Sequence, residues 1–250
     1  MQFCLTQDAG VSRMNTPLVP AARSTPVGAR RPAAREATPH LRLFPTADAY
    51  RAEHERTLER GLARALDVVV AGALVIIFSL PMLVIGLLIR LTSRGPALYR
   101  QQRIGLGGKP FVLLKFRTMR ADAEARTGPV WAKRGDPRRT LVGRVLRRLS
   151  IDELPQLINV LRGEMSLVGP RPERPYFVTA FTKQLPDYPQ RHHVLPGITG
   201  WAQVNGWRGN TAVDKRLEYD LYFIRNWTLA FHVRILLITP FRILLAKNAY

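Results

Sequence analysis

The chain has 250 residues, of which 46% are hydrophobic, and it carries a formal net charge of +20. This length suits one domain with a sizeable core and some appended segments. The charge indicates anionic partners, namely nucleic acid, phosphate groups or an acidic membrane surface. The single cysteine, Cys4, excludes an internal disulfide and a cysteine-based structural zinc site.

The beginning of the chain divides into a polar segment and a charged helix. Residues 1–45 are rich in Ala, Pro, Arg and Thr without a steady apolar period, which predicts disorder. The start lacks the basic and apolar regions of a secretory signal. Residues 46–65 predict an amphipathic, charged helix.

One long apolar run extends from Val68 to Ile89. At 1.5 Å per residue it is about 33 Å long, enough to cross the hydrocarbon core of a bilayer. Pro81 predicts a break or kink near its middle. Arginines flank the run on both sides, so the positive-inside rule favours both ends in the cytoplasm. The sequence therefore predicts a re-entrant membrane helix over residues 66–90. A buried core helix is the less favoured alternative.

Residues 91–212 predict a cytosolic domain of short strands and helices. Turn signals at Gly95-Pro96 and over residues 105–110 bound two strand-like pieces, 97–102 and 111–119, which predicts a hairpin. The glycines match neither a dinucleotide nor a P-loop fingerprint. A basic stretch follows over residues 133–148. Such a stretch is usually a solvated face, but here it leads into an acidic pair, and a cationic approach suits a phosphate substrate.

The acidic pair is Asp152 and Glu153, at the start of a helix predicted over residues 151–162. Helix capping is one interpretation, because Ser150 with Glu153 three residues later matches a capping box. Asp152 is an alternative N-cap. On local pattern alone, capping is favoured over catalysis.

The same residues also suit phosphoryl transfer. One carboxylate can attack phosphorus to form an acyl phosphate, and the other can hold a hard divalent cation. Arg147 would keep the nucleophile ionised. Arg171 stands between Pro170 and Pro172, and the stiff backbone of this segment can aim its guanidinium at phosphate oxygens. The alternative for Arg171 is an exposed arginine in a turn.

The last third of the chain predicts a helix over residues 176–185, a Gly- and Trp-rich loop over 194–209, and interfacial amphipathic helices over 213–250. The five histidines show no metal-ligand spacing. Trp201 and Trp207 fit either stacking on a uridine ring or packing in the core.

Four motifs, in their order and spacing, resemble the bacterial sugar transferase family, the monotopic phosphoglycosyl transferases. They are Phe116-Arg117-Thr118-Met119, Ser150-Ile151-Asp152-Glu153-Leu154-Pro155-Gln156, Gly169-Pro170-Arg171-Pro172 and Pro196-Gly197-Ile198-Thr199-Gly200-Trp201-Ala202-Gln203-Val204-Asn205-Gly206. The resemblance covers about residues 60–250. It is greatest to the undecaprenyl-phosphate glucose phosphotransferases, through Gly206-Trp207-Arg208-Gly209 and residues 218–220, 224–227 and 248–250.

The resemblance implies roles for individual residues. Asp152 is the expected nucleophile, and Glu153 is its expected magnesium-associated partner, with Mg²⁺ as cofactor. The residues expected to bind substrate or phosphate are Arg117, Arg147, Pro170, Arg171 and Pro172. Pro81 is expected to break the re-entrant helix, and Arg64 is expected at the membrane face.

The implied protein has an α/β fold, mostly helical with short strands, and is a compact monotopic domain on the cytoplasmic face of the bacterial inner membrane. It would transfer a sugar-1-phosphate, preferably glucose-1-phosphate, from a UDP-sugar to undecaprenyl phosphate through a covalent aspartyl intermediate, releasing UMP. This would be the first step of exopolysaccharide assembly. Its expected partners are both substrates and membrane lipids, with a homodimer as an option, and no nucleic acid.

The alternative is a non-catalytic, basic, membrane-tethered protein that binds nucleic acid or anionic lipid. Net charge alone supports it equally well. However, the sequence contains no recognisable nucleic-acid-binding motif. The acidic pair within the basic region would also repel a nucleic-acid backbone.

Overall fold

The computed structural model describes residues 47–120, 123, 128, 130, 135–209 and 211–245, and only the backbone of residues 47–56 and 244–245. The predicted disordered segment 1–45 lies outside the described residues. The helices are α1 (Ala47–Thr92), α2 (Leu141–Arg148), α3 (Gln156–Leu161), α4 (Pro175–Gln184), α5 (Trp201–Val204), α6 (Val213–Arg225) and α7 (Leu229–Leu245). The strands are β1 (Leu98–Ile104), β2 (Pro110–Phe116), β3 (Ser166–Val168) and β4 (Gly197–Thr199).

The described part of the chain is mostly helical, with two small two-stranded sheets. Strands β1 and β2 form the predicted hairpin, in antiparallel register from Leu98 opposite Phe116 to Ile104 opposite Pro110. Strands β3 and β4 pair in parallel. The loop prediction for residues 194–209 was wrong in part, because β4 and α5 lie there. A strand of three residues is too short to show an alternating pattern, and it forms only because β3 supplies its partner.

Helix α1 joins two segments that the sequence separated, the charged helix and the apolar run. It continues through Pro81, which lies in its interior. Within the described residues, Thr57–Thr92 is the stretch long and apolar enough to cross a membrane by length and composition. The proline break and the re-entrant path stay predictions.

One face of α1 packs against the rest of the domain at two places, over residues 63–75 and 82–89. Near its start Ala63, Asp67 and Ala71 are buried, and Ala71 joins the main core of α3, β3 and α7 residues. Near its end Ile89 is buried against Phe116 of β2 and Leu146 of α2. The opposite face exposes large apolar side chains: Val69, Ile76, Ile77, Leu80, Leu83, Val84, Leu87, Leu88 and Leu91. Both ends of the apolar run thus contact the same domain.

Polar contacts also tie the first half of α1 to the domain. Arg64 donates from Nη2 to the carbonyl of Val160 at 2.7 Å and from Nη1 to that of Met165 at 3.2 Å. Asp67 accepts a bond of 2.6 Å from the Ser166 hydroxyl, and its other oxygen lies 3.1 Å from Nε2 of His232. These buried bonds join α1 to α3, β3 and α7, and the sequence did not indicate them.

We expect Asp67→Ala to lower the free energy of unfolding by about 2–4 kcal/mol, because it leaves the Ser166 hydroxyl and the His232 ring buried without an acceptor. Denaturant unfolding in detergent micelles would measure this. Ser79→Ala is the matched control on the same helix, since Ser79 is exposed and bonds only to the Ile76 carbonyl of its own helix. Equal stability of the two variants would contradict the role of Asp67.

Candidate active site

The acidic pair lies in a tight turn between α2 and α3. Asp152 and Glu153 belong to a single 3-10 turn, Ile151–Glu153, and Ser150 before it has φ of 56°. Within the described residues, Ser150 is the one non-glycine residue with positive φ. Its side chain makes no capping bond, and α3 begins only at Gln156, after Pro155. The capping interpretation was therefore wrong, and the helix predicted over residues 151–162 is divided into this 3-10 turn and α3. Ser150 enters the turn in a left-handed conformation that is strained for a residue with a side chain.

Asp152 is buried without a hydrogen bond. Its residue is 5% exposed, and no donor in the described parts of the chain bonds its carboxylate. Burial and the charge of Glu153 raise the pKa of Asp152 above its ordinary value, although Lys115, Arg147 and Arg171 oppose them. A carboxylate with free lone pairs, surrounded by cations but bonded to none, is placed to act as a nucleophile.

Glu153 has the opposite environment. Its two oxygens accept from the two terminal nitrogens of Arg171, with Nη1 at 3.2 Å from Oε2 and Nη2 in close contact with Oε1. Burial raises the pKa of Glu153, but Arg171, together with Arg208 and Lys115, outweighs burial and lowers it to about 2. Glu153 is therefore a fixed negative charge at neutral pH, and the environments of the two carboxylates shift their pKa values in opposite directions.

The Arg171 segment reaches the acidic pair because two strands approach very closely. The Gly169 amide donates to the Thr199 carbonyl at 2.9 Å, and the Gly197 amide donates to the Pro170 carbonyl at 3.0 Å. A Cβ atom on Gly197 would collide with the Gly169 backbone. The glycines are thus required for β3 and β4 to deliver the Pro170–Pro172 segment to Glu153.

Arg147 lies on the side of α2 that faces the site. Its Nε donates to the Thr118 hydroxyl at 2.9 Å, whereas its Nη1 is buried without a hydrogen-bond partner. Gly143 makes this possible, because a Cβ atom there would collide with the Thr118 carbonyl. A buried guanidinium nitrogen without an acceptor is suited to a ligand oxygen.

Arg117 does not join the acidic pair. Its guanidinium donates to the carbonyls of Arg94 at 2.7 Å and Ser93 at 2.8 Å, and to the Ser93 hydroxyl at 2.9 Å. These bonds tie the residues after α1 to the end of β2, and phosphate binding by Arg117 stays a prediction. The motif contributes through the next residue, Thr118, which orients Arg147.

Two cations at the site were missed. Lys115 on β2 lies near Asp152, and burial, Arg147 and Arg103 lower its pKa to about 8. Arg208 donates to the Ser150 hydroxyl at 3.4 Å and is attracted by Glu153. Two features of the sequence could have indicated them. Lys115 is a lysine inside an otherwise apolar strand, just before the Arg117 motif, and Arg208 lies within the Gly206–Gly209 motif that carries part of the family resemblance.

The two tryptophans belong to an aromatic cluster. Trp201 packs against Phe231, with ring centroids 5.0 Å apart, and borders the main core. Trp207 lies 6.1 Å from Tyr219. Core packing, the second of the two alternatives, describes Trp201.

The side chains available as metal ligands limit how a metal ion could be bound. Among the described residues, no group of three or more His, Cys, Asp or Glu side chains could bind a metal ion. Magnesium is commonly held by one or two carboxylates together with substrate phosphates. The acidic pair therefore fits Mg²⁺ that is shared with a diphosphate, and it does not form an all-protein cage.

Comparison with known proteins agrees with the four motifs. The profile of the bacterial sugar transferase family matches residues 58–246. The chain therefore belongs to the bacterial sugar transferase family.

Individual relatives carry more specific names. The chain is 44% identical over 197 residues to the UDP-glucose:undecaprenyl-phosphate glucose-1-phosphate transferase of Escherichia coli K12, covering 77% of this chain and 42% of that protein. It is 47% identical over 193 residues to the Caulobacter vibrioides protein of the same name, covering 75% of this chain and 71% of that protein. It is 45% identical over 176 residues to an Aeromonas hydrophila UDP-N-acetylgalactosamine-undecaprenyl-phosphate N-acetylgalactosaminephosphotransferase, covering 70% and 41%. The chain thus spans less than half the length of two of these relatives.

We expect Lys115→Met to raise the free energy of unfolding at pH 7.5, with a gain that shrinks as the pH rises to 10. The folded-state pKa of Lys115 is about 8, below the ordinary value of a lysine. Between pH 7.5 and 10 the unfolded wild-type chain therefore binds more protons than the folded one, so the free energy of unfolding of the wild type rises with pH. The variant lacks this titration, so the difference between the two proteins shrinks.

Lys215→Met is the control for this measurement. Lys215 is exposed, and its hydrogen bond to Glu218 raises its pKa, so its removal should give a difference of the opposite sign. A Lys115→Met difference that stays constant between pH 7.5 and 10 would contradict the buried, charge-crowded environment of Lys115.

Proposed function

We propose that the chain transfers a sugar-1-phosphate from a UDP-sugar to undecaprenyl phosphate, releasing UMP. The observation that carries this proposal is the Asp152 carboxylate, which is buried beside Lys115, Arg147 and the Glu153–Arg171 pair and accepts no hydrogen bond from the residues that the structure describes. Family membership and the names of the relatives support the same reaction.

The reaction proceeds in two displacements at one phosphorus. A carboxylate oxygen of Asp152 attacks the phosphorus that bears the sugar, and the bond from this phosphorus to the bridging oxygen breaks. UMP leaves with the electron pair, and an aspartyl phosphosugar remains. A phosphate oxygen of undecaprenyl phosphate then attacks the same phosphorus. The bond to Asp152 breaks, and the carboxylate is restored as undecaprenyl diphosphate sugar forms.

The surrounding cations stabilise charge at that phosphorus. Arg147 on α2 offers Nη1, which has no hydrogen-bond partner among the described residues, and Lys115 adds a positive charge from β2. Glu153 orients Arg171 by a two-point contact, so the guanidinium keeps further N–H groups for phosphate oxygens. Arg208 approaches from the loop after α5.

Magnesium is part of the proposal through the acidic pair. Glu153 would hold it through lone pairs that Arg171 does not use, with the remaining ligands from the diphosphate and water. When bound, it would neutralise charge on the diphosphate.

The packing of α1 supports the proposed membrane arrangement. A helix that crossed a bilayer would carry its far end away from a domain on one side, whereas Ala63 and Ile89 both pack against the same domain. This supports the predicted re-entrant path, with both ends on the cytoplasmic face of the inner membrane and Arg64 and Pro81 as its start and bend. The exposed apolar side chains of α2, Leu141 and Val145, lie beside the end of α1 and support contact with lipid.

Glucose-1-phosphate is the preferred group, because the Escherichia coli and Caulobacter relatives are named for glucose. We propose that this reaction is the first step of exopolysaccharide assembly. The Aeromonas relative is named for N-acetylgalactosamine. A panel of UDP-sugars, compared by kcat/KM for UMP release, therefore tests the sugar separately from the reaction.

We expect Asp152→Asn to reduce UMP release from UDP-glucose at least 10³-fold, because an amide does not form the acyl phosphate. Purified protein in detergent, with Mg²⁺ and undecaprenyl phosphate, would be assayed and acid-quenched to trap the labelled enzyme. Asp214→Asn, an exposed carboxylate on α6, is the matched control and should keep wild-type activity.

The outcomes separate the parts of the proposal. Equal rates for Asp152→Asn and wild type would remove Asp152 from the mechanism. Full activity in the presence of EDTA would show that the reaction does not need magnesium. The absence of UMP release from the whole panel by folded protein would favour the non-catalytic binding protein instead.

The membrane path is tested by labelling cysteines introduced at two exposed arginines, Arg60→Cys and Arg94→Cys, in a Cys4→Ser background. We expect a membrane-impermeant maleimide to label both from the cytoplasmic side of inverted vesicles. Labelling from opposite sides would contradict the re-entrant path.

A further inference from the structure

Arg191, which the mechanism above does not use, holds the backbone of the Arg171 segment. It lies in the 3-10 turn Tyr188–His193 and is only 3% exposed. Its Nη2 donates to the Arg171 carbonyl at 3.0 Å. The contact is therefore with the main chain of the segment that carries the guanidinium to Glu153.

Asp220 and Tyr188 fix the rest of the Arg191 guanidinium. Nε lies 2.8 Å from Oδ2 of Asp220, and Nη2 lies 2.8 Å from the same oxygen. Nη1 donates to the Tyr188 hydroxyl at 2.7 Å. Asp220 projects from α6 and is 2% exposed, so neither side chain can move without breaking a buried ion pair.

The neighbouring carbonyl is held in the same way. Arg103 on β1 donates to the Pro172 carbonyl at 2.9 Å. Glu173 follows, and its carboxylate accepts from Arg216 of α6 at 2.6 Å. Arg216 also donates to the Gly209 carbonyl at 2.6 Å, next to Arg208. The buried face of α6 thus connects to both loops that bring arginines to the acidic pair.

An ion pair that served stability alone would be complete with Asp220. The additional bond is to the carbonyl of Arg171, the same residue whose guanidinium contacts Glu153. The prolines on both sides of Arg171 already restrict rotation of the backbone there. A shift of that carbonyl would therefore be transmitted to the guanidinium instead of being absorbed by the backbone.

We propose that Arg191, held by Asp220, is a positioning residue that fixes the Arg171 backbone so that the Arg171 guanidinium meets Glu153 and the phosphates of the donor. This inference rests on the proposed function, because it assigns a purpose to the geometry of that site.

The decisive variant is Arg191→Lys, which keeps the positive charge beside Asp220 but has a single nitrogen in place of the fork that reaches both Asp220 and the Arg171 carbonyl. We expect kcat for UMP release to fall about 10–100-fold with KM changed less than about 3-fold, because misplacing a group by about 1 Å costs rate more than binding. Tyr188→Phe is the matched control. It removes a bond from the same guanidinium but leaves the carbonyl contact, so kcat should stay within about 3-fold of wild type.

A double-mutant cycle distinguishes positioning from general stability. In an Arg171→Gln background, Arg191→Lys should cost less than about 2-fold further, because the side chain that it positions is gone. A full, independent loss in that background would overturn the proposal.

Hydrogen exchange gives a readout that needs no activity. Amides in residues 166–174 should exchange faster in Arg191→Lys than in wild type or Tyr188→Phe. Unchanged exchange in Arg191→Lys would overturn the proposal. Wild-type protein that releases no UMP would instead count against the proposed function, and the exchange result would still decide the role of Arg191. If Arg191→Lys does not fold, the isosteric Asp220→Asn serves in the same three measurements.

Discussion

Two neighbouring carboxylates, Asp152 and Glu153, repel each other in a largely buried turn, and cations must compensate their charge if both are to be ionised. No single segment of the chain supplies these cations. Lys115 comes from β2, Arg147 from α2, Arg171 from the loop after β3, and Arg208 from the loop after α5. Much of the remaining structure serves to bring these four segments to one turn. The result is an asymmetric pair, in which Glu153 is neutralised by a two-point contact and Asp152 is surrounded but unbonded.

The four segments can meet at this turn only because their backbones approach one another closely. Gly143 lets α2 lie on the Thr118 carbonyl, and Gly197 lets the Pro170–Pro172 segment lie on β4. The buried polar contacts of α6 then hold the loops that result. The site is therefore rigid because of main-chain contacts far from Asp152 in sequence, which agrees with electrostatic stabilisation by groups oriented in advance.

Helix α1 belongs both to the proposed membrane anchor and to the core. Its exposed face is apolar from Val68 to Leu91, while its inner face contributes Ala71 to the main core and Asp67 to a buried polar network. The anchor and the catalytic domain are thus one folding unit. This explains why the boundary expected at residue 65 does not appear as a break in the helix. It also explains why Arg64, expected at the membrane face, bonds to carbonyls at the end of α3.

Local pattern determined a good deal of this protein. The apolar run and the hairpin between β1 and β2 were predicted from the sequence, because each depends on neighbouring residues and their spacing. Local pattern alone favoured capping at Asp152 and Glu153, and the expectation that they form a site came from the resemblance carried by the four motifs. Only the tertiary structure decided which arginine faces the site. Arg117 and Arg147 are both arginines in or beside family motifs, and among the described residues each has one buried nitrogen without a hydrogen-bond partner. Arg117 donates to the carbonyls that follow α1, whereas Arg147 lies close enough to Asp152 to be attracted by its charge. It also excluded a capping bond from the Ser150 side chain, and it brought Lys115 and Arg208 to the site. These outcomes depend on contacts between residues tens of positions apart, and a local sequence pattern does not indicate which distant residues will meet.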